Sequence, residues 1–159
     1  MRIHRPTTLF AALLVLGACA PRNADTAFTA LQARGAAAMG VDQYTSTHRF
    51  DDLPDGGRIE LQRDLDDAQG IATIRAHLQG IAAAFARGDF ATPAMVHVRE
   101  VPGTSVMRAR SAAIRYEYRA LPRGGEVRIT TADPEALRAI HAFLAFQRTD
   151  HRAGGHTEH

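Results

Sequence analysis

The chain has no lysine, since all 19 of its Lys and Arg positions are arginine. That excludes a Walker-type phosphate loop, which needs a lysine on the phosphates, and any mechanism through a lysine Schiff base. It has a single cysteine, Cys19, so no intramolecular disulfide can form. GxSxG, HExxH, CxxC and a GxGxxG following a strand are all missing, and with them the common spacing signatures of hydrolases, zinc proteases, redox dithiols and dinucleotide binders. A long hydrophobic run is missing as well. The apolar segment at 9–16 is far shorter than the roughly 20 residues a membrane-spanning helix needs.

That short run has its own meaning. Arg2 and Arg5 precede it and Leu16-Gly17-Ala18-Cys19 follows it, the layout of a secretory signal. The last four residues resemble the bacterial lipobox, in which the cysteine is acylated and becomes the new N-terminus. The competing reading is ordinary cleavage after Ala18-Cys19-Ala20, which would leave Pro21 after the scissile bond. Lipidation would consume the one thiol that an oxidising compartment would otherwise attack. The expected plan is a signal at 1–18, a lipidated tether at 19–42, a globular domain at 43–152 and a flexible His-containing tail at 153–159. The expected location is the bacterial envelope outside the cytoplasm, with the bilayer as partner through Cys19.

Removing the signal also removes the positive charge. Without Arg2 and Arg5 the chain carries 17 arginines against 17 acidic residues, which gives no electrostatic ground for nucleic-acid binding. The seven arginines within 99–128 form a candidate patch for anionic lipid, or simply the solvated face of two strands.

The domain repeats itself. Leu53-Pro54-Asp55-Gly56-Gly57-Arg58-Ile59-Glu60-Leu61 aligns with Leu121-Pro122-Arg123-Gly124-Gly125-Glu126-Val127-Arg128-Ile129. An alternating run precedes each copy, and the Pro and Gly-Gly signals mark hairpins. A helix follows each hairpin. The first covers 68–87 with the stripe Ile71, Ile74, Leu78, Ile81 and Phe85, and stops at Gly88. The second opens on Asp133 and Pro134 with the stripe Leu137, Ile140 and Leu144, Phe143 lying at its margin. The fold class is α+β: two ββα repeats forming a four-stranded, mostly antiparallel sheet with both helices on one face. The insert at 89–113 joins the repeats and contains a short helix over 104–110.

Histidines are the candidate functional residues. Repeat alignment makes His48 the equivalent of Tyr116, on the face the helices cover, where a histidine must stay neutral or find a partner. His141 and His77 lie beside the helix stripes, so a ligand pocket would draw on His48, Tyr116, His77 and His141. Met95 and His97, two apart in a stretch read as extended, point the same way. With Met107 they offer thioether and imidazole, a soft set for copper, while several histidines together suit zinc or copper. The metal candidates are therefore His48, Met95, His97, Met107 and His141. Core histidines and gap-filling methionines are the competing reading.

The strings MGVDQYTSTHRF, IRAHLQGIA, GDFATPAMVH, VPGTSVM and ADPEALRAIHAFLAFQRTDHRAGGH resemble a group of small exported bacterial proteins of unknown function. The resemblance covers most of the mature chain and implies no chemistry. Some of that group are labelled aspartate carbamoyltransferase, which the residues do not support. That enzyme is about twice as long and carries an S-T-R-T-R phosphate loop, of which Ser46-Thr47-His48-Arg49-Phe50 keeps only scraps. The functional expectation is a non-enzymatic lipoprotein that binds a small ligand or a transition metal. An envelope structural protein without a ligand and a small His-dependent enzyme are the alternatives.

Overall fold

The computed structural model describes residues 20–40 and 42–153, apart from the side chains of 20–24. Cys19, the signal at 1–18 and positions 154–159 of the tail lie outside the described residues.

Four strands form one antiparallel sheet: β1 (Ser46–Leu53), β2 (Gly56–Arg63), β3 (Ile114–Leu121) and β4 (Gly124–Thr131), in the order β1-β2-β4-β3. The two hairpins therefore meet through their second strands and leave β1 and β3 as edges. Each turn consists of Pro and one further residue, closed by the pairs Leu53–Gly56 and Leu121–Gly124. The glycine doublets sit inside the strands rather than in the turns. Gly56 has φ 149°, and a Cβ there would lie 2.0 Å from the Ile129 carbonyl oxygen. A Cβ on Gly57 would strike Leu144 at 2.2 Å, and one on Gly125 would meet Tyr118 at 2.7 Å and Leu78 at 3.3 Å. Each doublet thus brings a strand close to its neighbour and a helix close to the sheet.

The two long helices are α2 (Ala68–Ala86) and α5 (Pro134–Asp150). The Asp67 side chain caps α2 by accepting from Gly70 N, Asp133 accepts from Glu135 N and Ala136 N at the start of α5, and Gly88 at φ 74° closes α2. The helices are exchanged between repeats: α2 covers mainly β3 and β4, while α5 lies on β1 and β2. Polar ties follow the same exchange. Arg75 of α2 donates to Leu121 O and Gly124 O of the second hairpin at 2.7 and 3.0 Å. His141 of α5 donates from Nε2 to Leu53 O and Gly56 O of the first at 3.0 and 2.9 Å.

Between the layers Ile59, Leu61, Val127 and Ile129 meet Ile74, Leu78, Phe85, Ile140, Phe143 and Leu144. Phe143, read from sequence as marginal, is 2% exposed and packs edge-on to Phe85, while Leu137 is only half-buried. The buried stripe of α5 is turned toward Ala136 and Ala139, whose small side chains let α4 (Thr104–Ala109) pack closely.

The other sheet face carries charges of both signs, with like charges facing each other across the central β2–β4 pair. Across the strands one row reads Asp51, Arg58, Arg128, Glu117 and the next Arg49, Glu60, Glu126, Arg119. Arg58 pairs with Asp51 and lies 3.9 Å from Glu60 and 3.8 Å from Glu126. The arginines of this stretch are thus interleaved with carboxylates.

Two segments differ from the sequence expectation. The tether forms a helix, α1 (Ala20–Met39), with Leu31, Gln32, Gly35 and Met39 buried along one side and α3 (Ala91–His97) against it. Alanine favours the helix, and small residues allow close contact without a stripe of large apolar side chains. The stretch holding Met95 and His97 is α3 itself and not extended. Asp89 accepts from Ala91 N at 2.9 Å, and Pro93 falls in the first turn, where its missing N–H is not needed.

Candidate ligand cavity

A cavity of about 90 Å³ opens where α1, α2, α3 and α5 converge over the β1 edge of the sheet. Its walls are mostly carbon. Met39 and Ala38 come from α1, Phe50, Ile59 and Leu61 from the sheet, Leu78, Ile81 and Phe85 from α2, Pro93 and Val96 from α3, and Phe143 from α5. Four histidines, His48, His77, His97 and His151, interrupt this apolar lining.

His48 stands on the edge strand with its ring stacked on Phe50 at 5.9 Å and on His151 at 5.6 Å. Burial lowers its pKa to about 3, helped by the neighbouring rings of His151 and His77. Burial likewise lowers His151, the residue capping the C-terminus of α5, to about 4, with His97 adding to the effect and Asp150 opposing it. His77 is held below its ordinary value by burial. These three rings are therefore uncharged at neutral pH, and the cavity can accept an apolar group without stranding a charge.

His97 is arranged differently. Its Nδ1 lies 2.5 Å from Asp150 Oδ2 and its Nε2 lies 3.0 Å from Gln147 Oε1. A neutral imidazole has one N–H. With Nδ1–H given to Asp150, a neutral ring would need the Gln147 amide turned so that its NH₂, in place of the Oε1 at 3.0 Å, meets Nε2. A carboxylate-oriented imidazole is the geometry of a general base. Here the second nitrogen is engaged by Gln147, so the contact ties α3 to α5.

The expected pocket set comes together only in part. His48 and His77 line the cavity. Tyr116 lies on β3, the opposite edge of the sheet, edge-on to Phe85, with its buried hydroxyl unpartnered and its pKa raised by burial. His141 is occupied by the β1–β2 turn. The repeat makes His48 and Tyr116 equivalent, but with β2 and β4 central, equivalence places them at opposite edges.

The five metal candidates do not converge. Met95 is 58% exposed on α3 and Met107 is fully buried in α4. His141 sits at the hairpin turn, and only His48 and His97 share the cavity. Among the described residues no group of three or more His, Cys, Asp or Glu side chains is placed to hold a metal ion, and no helix among them is long and apolar enough to cross a membrane.

Among the polar residues of the cavity, Gln147 and Gln43 were not singled out from sequence, and His151 was read only as part of the His-rich tail. Gln147 and His151 continue the Ile140–Leu144 stripe of α5, and a polar residue on a buried stripe was the available signal. Gln43 lies in a short 3₁₀ turn, Gln43–Thr45, and carried no signal. It is 6% exposed, and both polar atoms of its amide lack a hydrogen-bond partner. Comparison with known proteins finds no matching family model, no matching curated protein and no matching solved structure.

Proposed function

We propose that this chain is a non-enzymatic binding domain for a small uncharged ligand, held outside the bacterial cytoplasm by a lipid on Cys19. The observation that carries the binding reading is the apolar cavity bordered by uncharged histidines. At about 90 Å³ it holds roughly three water volumes and is smaller than the ~150 Å³ engineered cavity that takes up benzene. Its occupant is a small molecule or the apolar end of a longer one. Among the described residues no nucleophile with an adjacent base argues for catalysis, because His97, the carboxylate-oriented histidine among them, is tied to Gln147.

The lipid-anchor reading rests on the residues before Ala20. Helix α1 begins at Ala20 and runs to Met39. At about 1.5 Å per residue, Gly35 at the cavity wall stands about 22 Å along the helix from Ala20. That geometry suits a domain presenting its cavity away from a bilayer surface.

Xenon tests the cavity directly, since it fills apolar voids. Under a few atmospheres of xenon, amide and methyl shifts should move saturably at Ala38, Ile81 and Val96, and Ala38→Leu should abolish the effect while leaving the fold intact. No saturable shift at these residues would overturn the binding reading. Cys19→Ser should move the protein from the membrane to the soluble fraction, and unchanged membrane association would overturn the anchor.

A further inference from the structure

The cavity does not end at its apolar wall. A second space of about 300 Å³ adjoins it along the seam between α1, β1 and the C-terminal turn, and the two share Gln43, His48 and His151 as lining. This seam concentrates buried polar atoms with no partner: Gln32 Oε1, both amide atoms of Gln43 and His151 Nδ1. Gln32 and Gln43 are 9% and 6% exposed. Buried amides are normally hydrogen-bonded, and each that is not calls for an explanation.

The position of Gln43 depends on a neighbour. A Cβ on Gly35 would lie 1.4 Å from Gln43 Nε2, so the amide occupies space that only glycine leaves open on α1. Glycine in mid-helix disfavours the helix relative to alanine. The cost fits a residue kept so that the Gln43 amide can sit at the seam.

We infer that the seam recognises a neutral head group carrying a donor and an acceptor on one planar unit, a carboxamide, whose short aliphatic tail enters the apolar cavity. The inference rests on the binding reading above and deepens it. The free oxygen and NH₂ of Gln43 match a second amide in a reciprocal pair of hydrogen bonds, the amide oxygen accepting and its NH₂ donating. Gln32 Oε1 offers one further acceptor and His151 Nδ1 a further partner. A carboxylate fits poorly: it has no proton to give, and the arginine that lines the seam, Arg152, is taken up by Asp25 at 3.1 Å and by the Phe28 ring at 4.1 Å. The uncharged state of His48 and His151 removes the other source of positive charge.

Butyramide and butyrate, of nearly equal shape, are the probes, titrated into the full chain at pH 7 and followed by amide shifts. Butyramide should bind at least tenfold more tightly than butyrate, with shifts at Gln43, His48 and His151. Gly35→Ala should displace the Gln43 amide and bring the ratio close to one, although alanine favours the helix; Gln43→Leu should do the same. Butyrate binding as tightly as butyramide, or an undiminished preference in Gly35→Ala, would overturn the inference. The wild-type ratio decides the matter even if a variant fails to fold. Xenon uptake without an amide preference defeats this inference and leaves the binding reading standing, whereas no xenon uptake defeats both.

Discussion

The imidazoles of His48 and His151 lie 5.6 Å apart and nearly parallel, one from the edge strand and one from the end of α5, and both remain uncharged at neutral pH. The contact links the first and last parts of the fold. Two protonated rings could not share this space, because burial penalises each charge and each would repel the other.

Stability should therefore depend on pH with a definite sign. The unfolded chain takes up protons at these histidines near pH 6.5, whereas the folded chain refuses them down to about 4 at His151 and about 3 at His48. The unfolded state binds more protons in that window, so stability is full above pH 6.5 and falls as pH drops below it, by up to about 1.4 kcal/mol per pH unit for each group. His77 acts in the same direction. Urea unfolding between pH 6.5 and 5, above most carboxylate titration, should show this slope. The double variant His48→Phe, His151→Phe should lose most of it, and an unchanged slope would contradict the placement of both rings.

Asp150→Asn should leave the fold intact and lower stability by about 1 kcal/mol, below the roughly 1.5–3 kcal/mol of a hydrogen bond to a charged group because Asp150 is partly exposed. In the wild type, ¹⁵N shifts of the His97 ring should report the Nδ1–H tautomer. An Nε2–H tautomer would reverse the roles assigned to Asp150 and Gln147.

Two glycines should respond in opposite directions to the same substitution. Gly80, inside α2, has no atom within 4 Å of a built Cβ, so Gly80→Ala should stabilise by about 0.5–1 kcal/mol. Gly57→Ala drives a methyl into Leu144 and should destabilise by about 1–3 kcal/mol. Thermal melts of the pair test the helix-to-sheet approach, and equal effects at the two positions would count against it.

His141→Ala should cost about 1–2 kcal/mol by freeing two carbonyl groups at the first turn. It should leave xenon uptake and the butyramide-to-butyrate ratio unchanged. A loss of either would bring His141 back into the binding site.

Much of the fold was legible because its signals are local. The doubled Leu-Pro-x-Gly-Gly string, the Asp133-Pro134 start and the Gly88 stop each describe a few adjacent residues, and each element formed where those residues stand. The α1 helix was missed because its buried side, Leu31, Gln32, Gly35 and Met39, holds only two large apolar residues a full two turns apart. The extended reading at Met95 gives way to helix α3, in whose first turn Pro93 is tolerated. In the cavity, His48 and His77 were legible as histidines beside apolar runs, but Gln43 gave no sign of itself.

The sequence by itself determined the two ββα units, their turns and caps, and which strand faces are apolar, since all of these follow from residues close together in the chain. Tertiary structure alone decided that β2 pairs with β4 and that each helix crosses to the other hairpin. Those choices depend on how two equivalent halves bury their apolar faces against each other, and nothing within either half specifies them. They send Tyr116 to the far edge, occupy His141 at a turn, and leave His48, His77, His97 and His151 around one apolar cavity.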